Sequence, residues 1–251
     1  MPLRIRDATI AAMQLPVFPL HTVLFPHLPL PLHIFEERYR AMTVDVMAEG
    51  SPYAGRFVVS MISEGPEVGA DATIHDVGTI CEVRSAEQFA DGRWMLLCVG
   101  LTRARIAPAE GGSAPYRLCE ASELGDPTGD GAAALMPRVQ AALDAYLATV
   151  KRFVVRAASV GRMEAQEPTA VAASLDRMLK PIHLPDDPVA ASYAVGGLLQ
   201  IELSRKQHLL ELPDAGARLR AELHLLEREA RLLDDGAMPP VQPSDIGYHP
   251  N

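Results

Sequence analysis

Between Ala8 and Phe35 the chain carries no Asp, Glu, Lys or Arg, yet it holds prolines at positions 16, 19, 26, 29 and 31. Each proline removes a backbone donor and clashes with the preceding helical turn. No helix, membrane-spanning or otherwise, can run through this segment, although its length and apolarity mimic a span. The basic residues Arg4 and Arg6 precede it as they would a secretory leader. Gln14, however, interrupts the apolar core, and no small-residue cleavage motif follows. The segment must therefore be extended. From His27 to Phe35, Leu28, Leu30, Leu32 and Ile34 fall on one face, with Pro29, Pro31 and His33 on the other. Pro29 and Pro31 also aim at the same strand edge, where neither has a donor, so the strand is predicted at a sheet border or against a crossing segment. Glu36 and Glu37 then suit the positive end of a helix, with Phe35, Tyr39, Met42 and Val46 as its buried stripe. His21, His27 and His33 recur every six residues, but the intervening prolines rule out one regular strand carrying a metal ladder.

Further strands are predicted over Arg56–Ile62, Gly78–Ser85, Arg93–Val99, Thr102–Pro108 and Tyr116–Leu124, all rich in β-branched or large apolar residues. Asp91-Gly92 is expected to supply the positive φ angles of a tight hairpin. The run WMLLCV is apolar on both faces and is expected to be central. Short strands joined by hairpins indicate a small antiparallel barrel or sandwich. After Glu123 the pattern changes to a Gly- and Pro-rich stretch and then to helical spacing.

Met136, Val139, Leu143, Tyr146 or Leu147, Val150 and Phe153 or Val154 mark the first of these helices, with Pro137 expected at its first position. Another helix is expected to open near Pro168. Asp187 is read as an N-cap followed by Pro188, and Ser204 with Gln207 as a capping box. Asp214 caps a last helix whose stripe is Leu219, Leu223, Leu226, Ala230 and Leu233. The tail from residue 235 has no periodicity and is expected to be mobile.

The formal net charge is −9. Residues 1–126 hold 10 basic and 16 acidic side chains, and residues 127–251 hold 13 and 16. Neither part has the basic excess of a phosphate-neutralising protein. The odd set Cys81, Cys98 and Cys119 forms no C-x-x-C unit and no complete disulfide framework, which fits reduced thiols in the cytoplasm. No H-E-x-x-H, G-x-S-x-G or nucleotide-binding G-K-S/T motif occurs. GDPTGDGA lacks the lysine and hydroxyl that hold phosphate and magnesium, so it is read as a flexible linker. His208 and Glu211 share a helix face, but the companion carboxylates of a di-iron site are not evident. No catalytic constellation, metal site or cofactor is expected.

The succession Leu15-Pro16, Phe18-Pro19-Leu20, Phe25-Pro26, Leu30-Pro31-Leu32, Ile34-Phe35-Glu36 and Arg38-Tyr39 resembles the opening of the substrate-binding N-terminal domain of Lon proteases, and more closely its stand-alone relatives. Val77-Gly78-Thr79, Asp91-Gly92-Arg93, Gln207, Leu209-Leu210-Glu211 and Arg218-Leu219 continue the resemblance to Leu233. His27 departs from it, standing where the family often has glycine, so the turn after Pro26 is expected to differ.

The resemblance implies an α+β fold, with a small antiparallel β-barrel of the PUA-like type carrying one helix, followed by a helical bundle. It also implies recognition of unfolded or degron-bearing polypeptide, without ATPase or protease activity. The expected organisation is an extension over 1–12 with Met13 as candidate start, a barrel over 13–126, a linker over 127–135, a bundle over 136–234 and a tail over 235–251. Binding is expected in an apolar groove between barrel and helices, with Phe25, Leu28 and Met61 as candidate contacts, although core burial is the competing reading of each. A PUA-like RNA or nucleotide binder is the alternative, against which the acidity of both halves argues.

Overall fold

The computed structural model describes residues 12–69, 72–109, 113–159 and 182–236. The helix expected near Pro168, most of the tail and nearly all of the N-terminal extension lie outside these. The chain divides into two units, residues 1–125 with 243–251 and residues 126–242.

The first unit is a 7-stranded sheet. Its elements are β1 (Met13–Leu20), β2 (Pro29–Ile34), α1 (Glu37–Met47), β3 (Arg56–Glu64), β4 (Thr73–Ile74), β5 (Val77–Gln88), β6 (Trp94–Pro108) and β7 (Leu118–Glu123). The strand order is β1-β7-β6-β5-β3-β4, and β1 also pairs with β3, which closes a barrel of β1, β7, β6, β5 and β3. The closing pair is parallel, with Val17 opposite Val58 and Leu20 opposite Met61; every other pair is antiparallel. β2 pairs with β6 alone. Leu28 O accepts from Gly100 N–H, so the even-numbered residues bond to β6 and the two prolines face the free edge. The border position follows from their missing donors.

The segments Arg93–Val99 and Thr102–Pro108 are one strand rather than two. Its first half pairs with β2, from Ile34 opposite Trp94 to Pro29 opposite Val99. Its last part pairs with β7. The joint is a bulge, where Ile80 pairs with Thr102 but Cys81 with Gly100, leaving Leu101 over. A Cβ on Gly100 would lie 2.5 Å from Phe25 O, so glycine admits the crossing β1–β2 segment. Within that segment His27 has φ +67°. It holds the left-handed conformation that glycine favours, at a strain of about 1 kcal/mol. The β5–β6 hairpin also corrects the expectation for Asp91-Gly92. Only Gly92 has positive φ, and Phe89 N–H donates to Arg93 O across a longer loop. Asp91 instead accepts from Arg93 N–H at 3.1 Å and from its Nε at 2.7 Å.

β1 and β3 are buried on both faces over most of their length. Phe18, Leu20, Phe57 and Val59 join Leu30, Leu32, Ile34, Leu96 and Cys98 in one cluster, covered by Tyr39, Met42 and Val46 of α1. Leu15, Val17 and Val58 enter a second with Ile80, Ile106 and Cys119. Phe18 meets Tyr39 edge-on at 4.3 Å between ring centroids. Burial pushes the Tyr39 hydroxyl up to about 12. Each such side chain contributes about 1.5–3 kcal/mol by leaving water. Phe35, expected in the α1 stripe, is only half-buried.

The second unit contains α2 (Ala132–Ser159), α3 (Pro188–Leu198), α4 (Leu203–Glu211) and α5 (Ala215–Asp234). α2 opens at Ala132, inside the stretch expected to be linker, and Pro137 lies within it rather than at its first position. The alanines ahead of Pro137 are strong helix formers and extend the helix backwards. Residues 127–130 dock on the start of α5. Pro127 O and Thr128 O accept from Ala215 and Gly216 N–H, while Asp130 O accepts from Arg220. These carbonyls satisfy donors that a helix start leaves orphaned, which is why GDPTGDGA is ordered and not a phosphate loop.

Asp187 accepts from the N–H groups of Val189 and Ala190 with Pro188 next in line, and Asp214 accepts from Ala217, both as expected. The Ser204–Gln207 capping box does not form. α4 starts two residues earlier, at Leu203 after Glu202, with no side-chain cap. Gln207, almost fully buried, donates to Glu211 at 2.8 Å instead. Leu219, Leu223, Leu226 and Leu233 are buried as expected, with Ala230 half-buried.

The bundle also encloses charge. Arg218 is fully buried; its Nε donates to Ser192 Oγ at 2.8 Å, and its guanidinium lies 4.1 Å from the centroid of the Tyr193 ring. The Tyr193 hydroxyl donates to Asp126, whose carboxylate stands 3.9 Å from Arg218.

Candidate functional site

Three strands of the first unit present an apolar face to solvent. Along β6, Leu96 and Cys98 are buried while Met95 and Leu97 remain 38% and 41% exposed. Register places Pro31 beside Leu97 and His33 beside Met95 on one flank, with Ser85 and Glu87 on the other. These residues share one side of the pleat, because side chains alternate along each strand. Phe89, 37% exposed, extends the patch at the hairpin. The His33 ring lies 6.2 Å from that of Phe89 and 6.1 Å from that of Phe35. Arg93 stacks over Phe89 at 5.9 Å and pairs with Asp91, giving the patch a charged rim. An apolar face with a polar rim takes up side chains from a partner by removing both from water.

WMLLCV is central as expected, with β2 and β5 on its two edges, while the face carrying Met95 and Leu97 stays open to solvent. The signal was the spacing of Met95 and Leu97, which stand opposite His33 and Pro31. Whether another layer lies over such a face is not a local property.

The three residues singled out from the sequence lie elsewhere. Phe25 is 1% and Met61 6% exposed. Leu28 is half-buried against the cluster beneath α1. Phe25 and Leu28 meet through a backbone hydrogen bond, Leu28 N–H to Phe25 O, whereas Met61 sits on β3 opposite Leu20. His21 and His27 are exposed and His33 is buried, and among the described residues no group of three or more His, Cys, Asp or Glu side chains is placed to hold a metal.

A groove of about 280 Å³ opens beside the barrel closure, with Val17, Ile74, Ile106 and Cys119 below and His75 and Arg117 among its polar lining. Arg117 donates to Ala72 O at 2.6 Å and ties one wall. Burial raises the Cys119 thiol to about 12, so at neutral pH it is protonated and no nucleophile. The groove suits an apolar side chain rather than a reaction. Among the described residues no helix is long and apolar enough to cross a membrane.

Comparison with known proteins bears on what these surfaces serve. The family described as the ATP-dependent protease La (LON) substrate-binding domain matches residues 14–228. The Lon protease of Escherichia coli K12 is 25% identical over 222 residues, covering 88% of this chain and 25% of that protein. Lon protease 2 of Syntrophobacter fumaroxidans is 26% identical over 236 residues, covering 88% of this chain and again 25% of the relative. The chain thus spans about a quarter of the length of the curated relatives it matches. Among solved structures, the N-terminal domain of Mycobacterium avium complex Lon protease superposes with a TM-score of 0.57 at 20% identity, covering 85% of this chain and 98% of that one. The Lon N-terminal domain protein from Xanthomonas campestris gives 0.51 at 21% identity, covering 84% and 98%. These likenesses bear out the α+β fold with a helical second part. With its proline-bordered barrel, its helices and a family match over most of its length, the chain belongs to the LON substrate-binding domain family.

Proposed function

We propose that this chain recognises polypeptide without chemically altering it, as an adaptor or regulator in cytoplasmic protein quality control. Its partners on this reading are unfolded or degron-bearing chains. One observation carries it: Met95, Leu97 and Phe89 are exposed on a face whose alternate residues, Leu96 and Cys98, are core. The family's description as a substrate-binding domain supports the reading.

The physics favours side-chain burial over strand addition at β2. Its free edge offers no donor at Pro29 or Pro31, so a bound segment cannot complete a ladder there. It lies across the face and buries its own apolar side chains against Leu97, Met95 and Phe89. Each of these contributes on the order of 1 kcal/mol as its remaining exposed area is covered.

The test is photo-crosslinking of the full chain to a reduced, carboxymethylated model polypeptide, with Leu97→Glu and Met95→Glu beside the parent. Crosslinks should map to β2, β6 and the Phe89 turn, and both variants should lose them. Unchanged crosslinking in the two variants, or capture of RNA alone, overturns the reading.

A further inference from the structure

The second unit carries a groove of a different character. Ser204, Arg205 and His208 of α4 face Ala221, His224, Leu225 and Arg228 of α5 across about 420 Å³, with Leu209 at its base. The α5 residues recur at i, i+3, i+4 and i+7, one continuous stripe of that helix. This stripe is not its core face, which carries Leu219, Leu223, Leu226 and Leu233. Two arginines and two histidines line the groove and no carboxylate does, in a chain of net charge −9.

The cationic groups have capacity to spare. Arg205 meets Glu202 through Nε at 3.3 Å, and Arg228 meets Glu229 through Nη1 at 2.6 Å. A guanidinium has five N–H donors, so each arginine retains others. Neither His208 nor His224 has a hydrogen bond or ion pair among the described residues. The base is apolar, from Leu209, Ala221 and Leu225. An inorganic anion would use the rim and leave that base wet. A segment with carboxylates flanking apolar side chains would use both.

We propose that the α4–α5 groove is a binding site for acidic polypeptide segments with interspersed apolar residues, held by Arg205 and Arg228 at the rim and by Leu209 and Leu225 below. This site is separate from the β2–β6 face, and neither depends on the other. Charge complementarity identifies the occupant: arginines and histidines line this concavity and no carboxylate does, and Arg prefers carboxylates in paired, planar geometry.

Fluorescence anisotropy of the full chain with a labelled peptide alternating Glu and Leu tests the proposal, against the same peptide with Gln for Glu. The acidic peptide should bind about tenfold more tightly at low salt, and the advantage should shrink as salt rises. The double variant Arg205→Glu, Arg228→Glu should lose the preference, while Leu97→Glu should keep it. Equal affinity for the two peptides overturns the proposal using the parent protein alone, whatever the fate of the variant. A photo-leucine in the acidic peptide should crosslink to α4 or α5; crosslinks confined to β6 and the Phe89 turn would instead assign the binding to the other face.

Discussion

Glu222 follows Arg218 by one turn of α5, and both side chains are fully buried, yet neither Glu222 carboxylate oxygen has a hydrogen-bond partner among the described residues. Arg218 spends its contacts on Ser192, Leu212, Tyr193 and Asp126. Burial pushes the Glu222 carboxyl well above the ordinary carboxylate range, and Arg218 opposes this only in part. A buried charge without partners is costly, so the group is held as the neutral acid.

The sign of the pH dependence follows. A carboxyl with a raised pKa in the folded state contributes fully below the unfolded value, about pH 4.3, and the contribution is lost as pH rises through the folded value. The Tm difference between Glu222→Gln and the parent should be near zero at acid pH and grow with pH. At about pH 8 the variant should be about 1–3 kcal/mol more stable. A difference independent of pH would show that Glu222 is ionised in the fold.

Ala54 has φ +50° and is exposed, with Gly55 next at φ +77°. A left-handed alanine carries a steric penalty that glycine lacks. Ala54→Gly should stabilise the protein by about 1 kcal/mol in urea unfolding, the reverse of the usual effect of glycine.

Gly100→Ala should do the opposite, because its Cβ would meet backbone atoms of Phe25 and Pro26 that cannot rotate away. A cost of about 2–4 kcal/mol is expected. Gly125→Ala is the control: nothing lies within 4 Å of its Cβ position and its φ is not positive, so it should be neutral or slightly stabilising.

Asp187→Ala should cost about 1 kcal/mol by removing two capping bonds at α3. Ser204→Ala should change stability by less than about 0.5 kcal/mol, because that side chain caps nothing. Equal losses would restore the capping box that the spacing suggested.

Cys81, Cys98 and Cys119 are all buried, and burial raises the thiols of Cys81 and Cys119. A thiol reagent at about pH 8 should label none of the three in the folded protein and all three in denaturant. Rapid labelling of Cys119 would show that the groove beside it opens to solvent.

Features that depend on neighbours in sequence were legible. The alternation of Leu30, Leu32 and Ile34 fixes a strand and its inward face, and the two prolines fix its edge. Asp187 and Asp214 identify helix starts because a cap acts within three residues. Interactions decided by the fold were not legible. Ser204 and Gln207 have the spacing of a capping box, but Gln207 is drawn into the interior. Arg218 and Glu222, one turn apart on α5, are both buried, which the charge of either residue does not announce. Met95 and Leu97 look like core because only the arrangement of layers leaves them open. Phe25 and Met61, expected as groove contacts, are buried, while the exposed apolar face lies on the prolines' side of β2.

The proline-marked border of β2 has a consequence for a protein that displays an oily sheet face. Two copies with such faces could join edge to edge and grow into a continuous sheet, the route by which exposed strands seed insoluble fibres. Pro29 and Pro31 interrupt the row of donors that this growth requires, so the protein can offer its face to other chains while its own border resists templating another copy of itself.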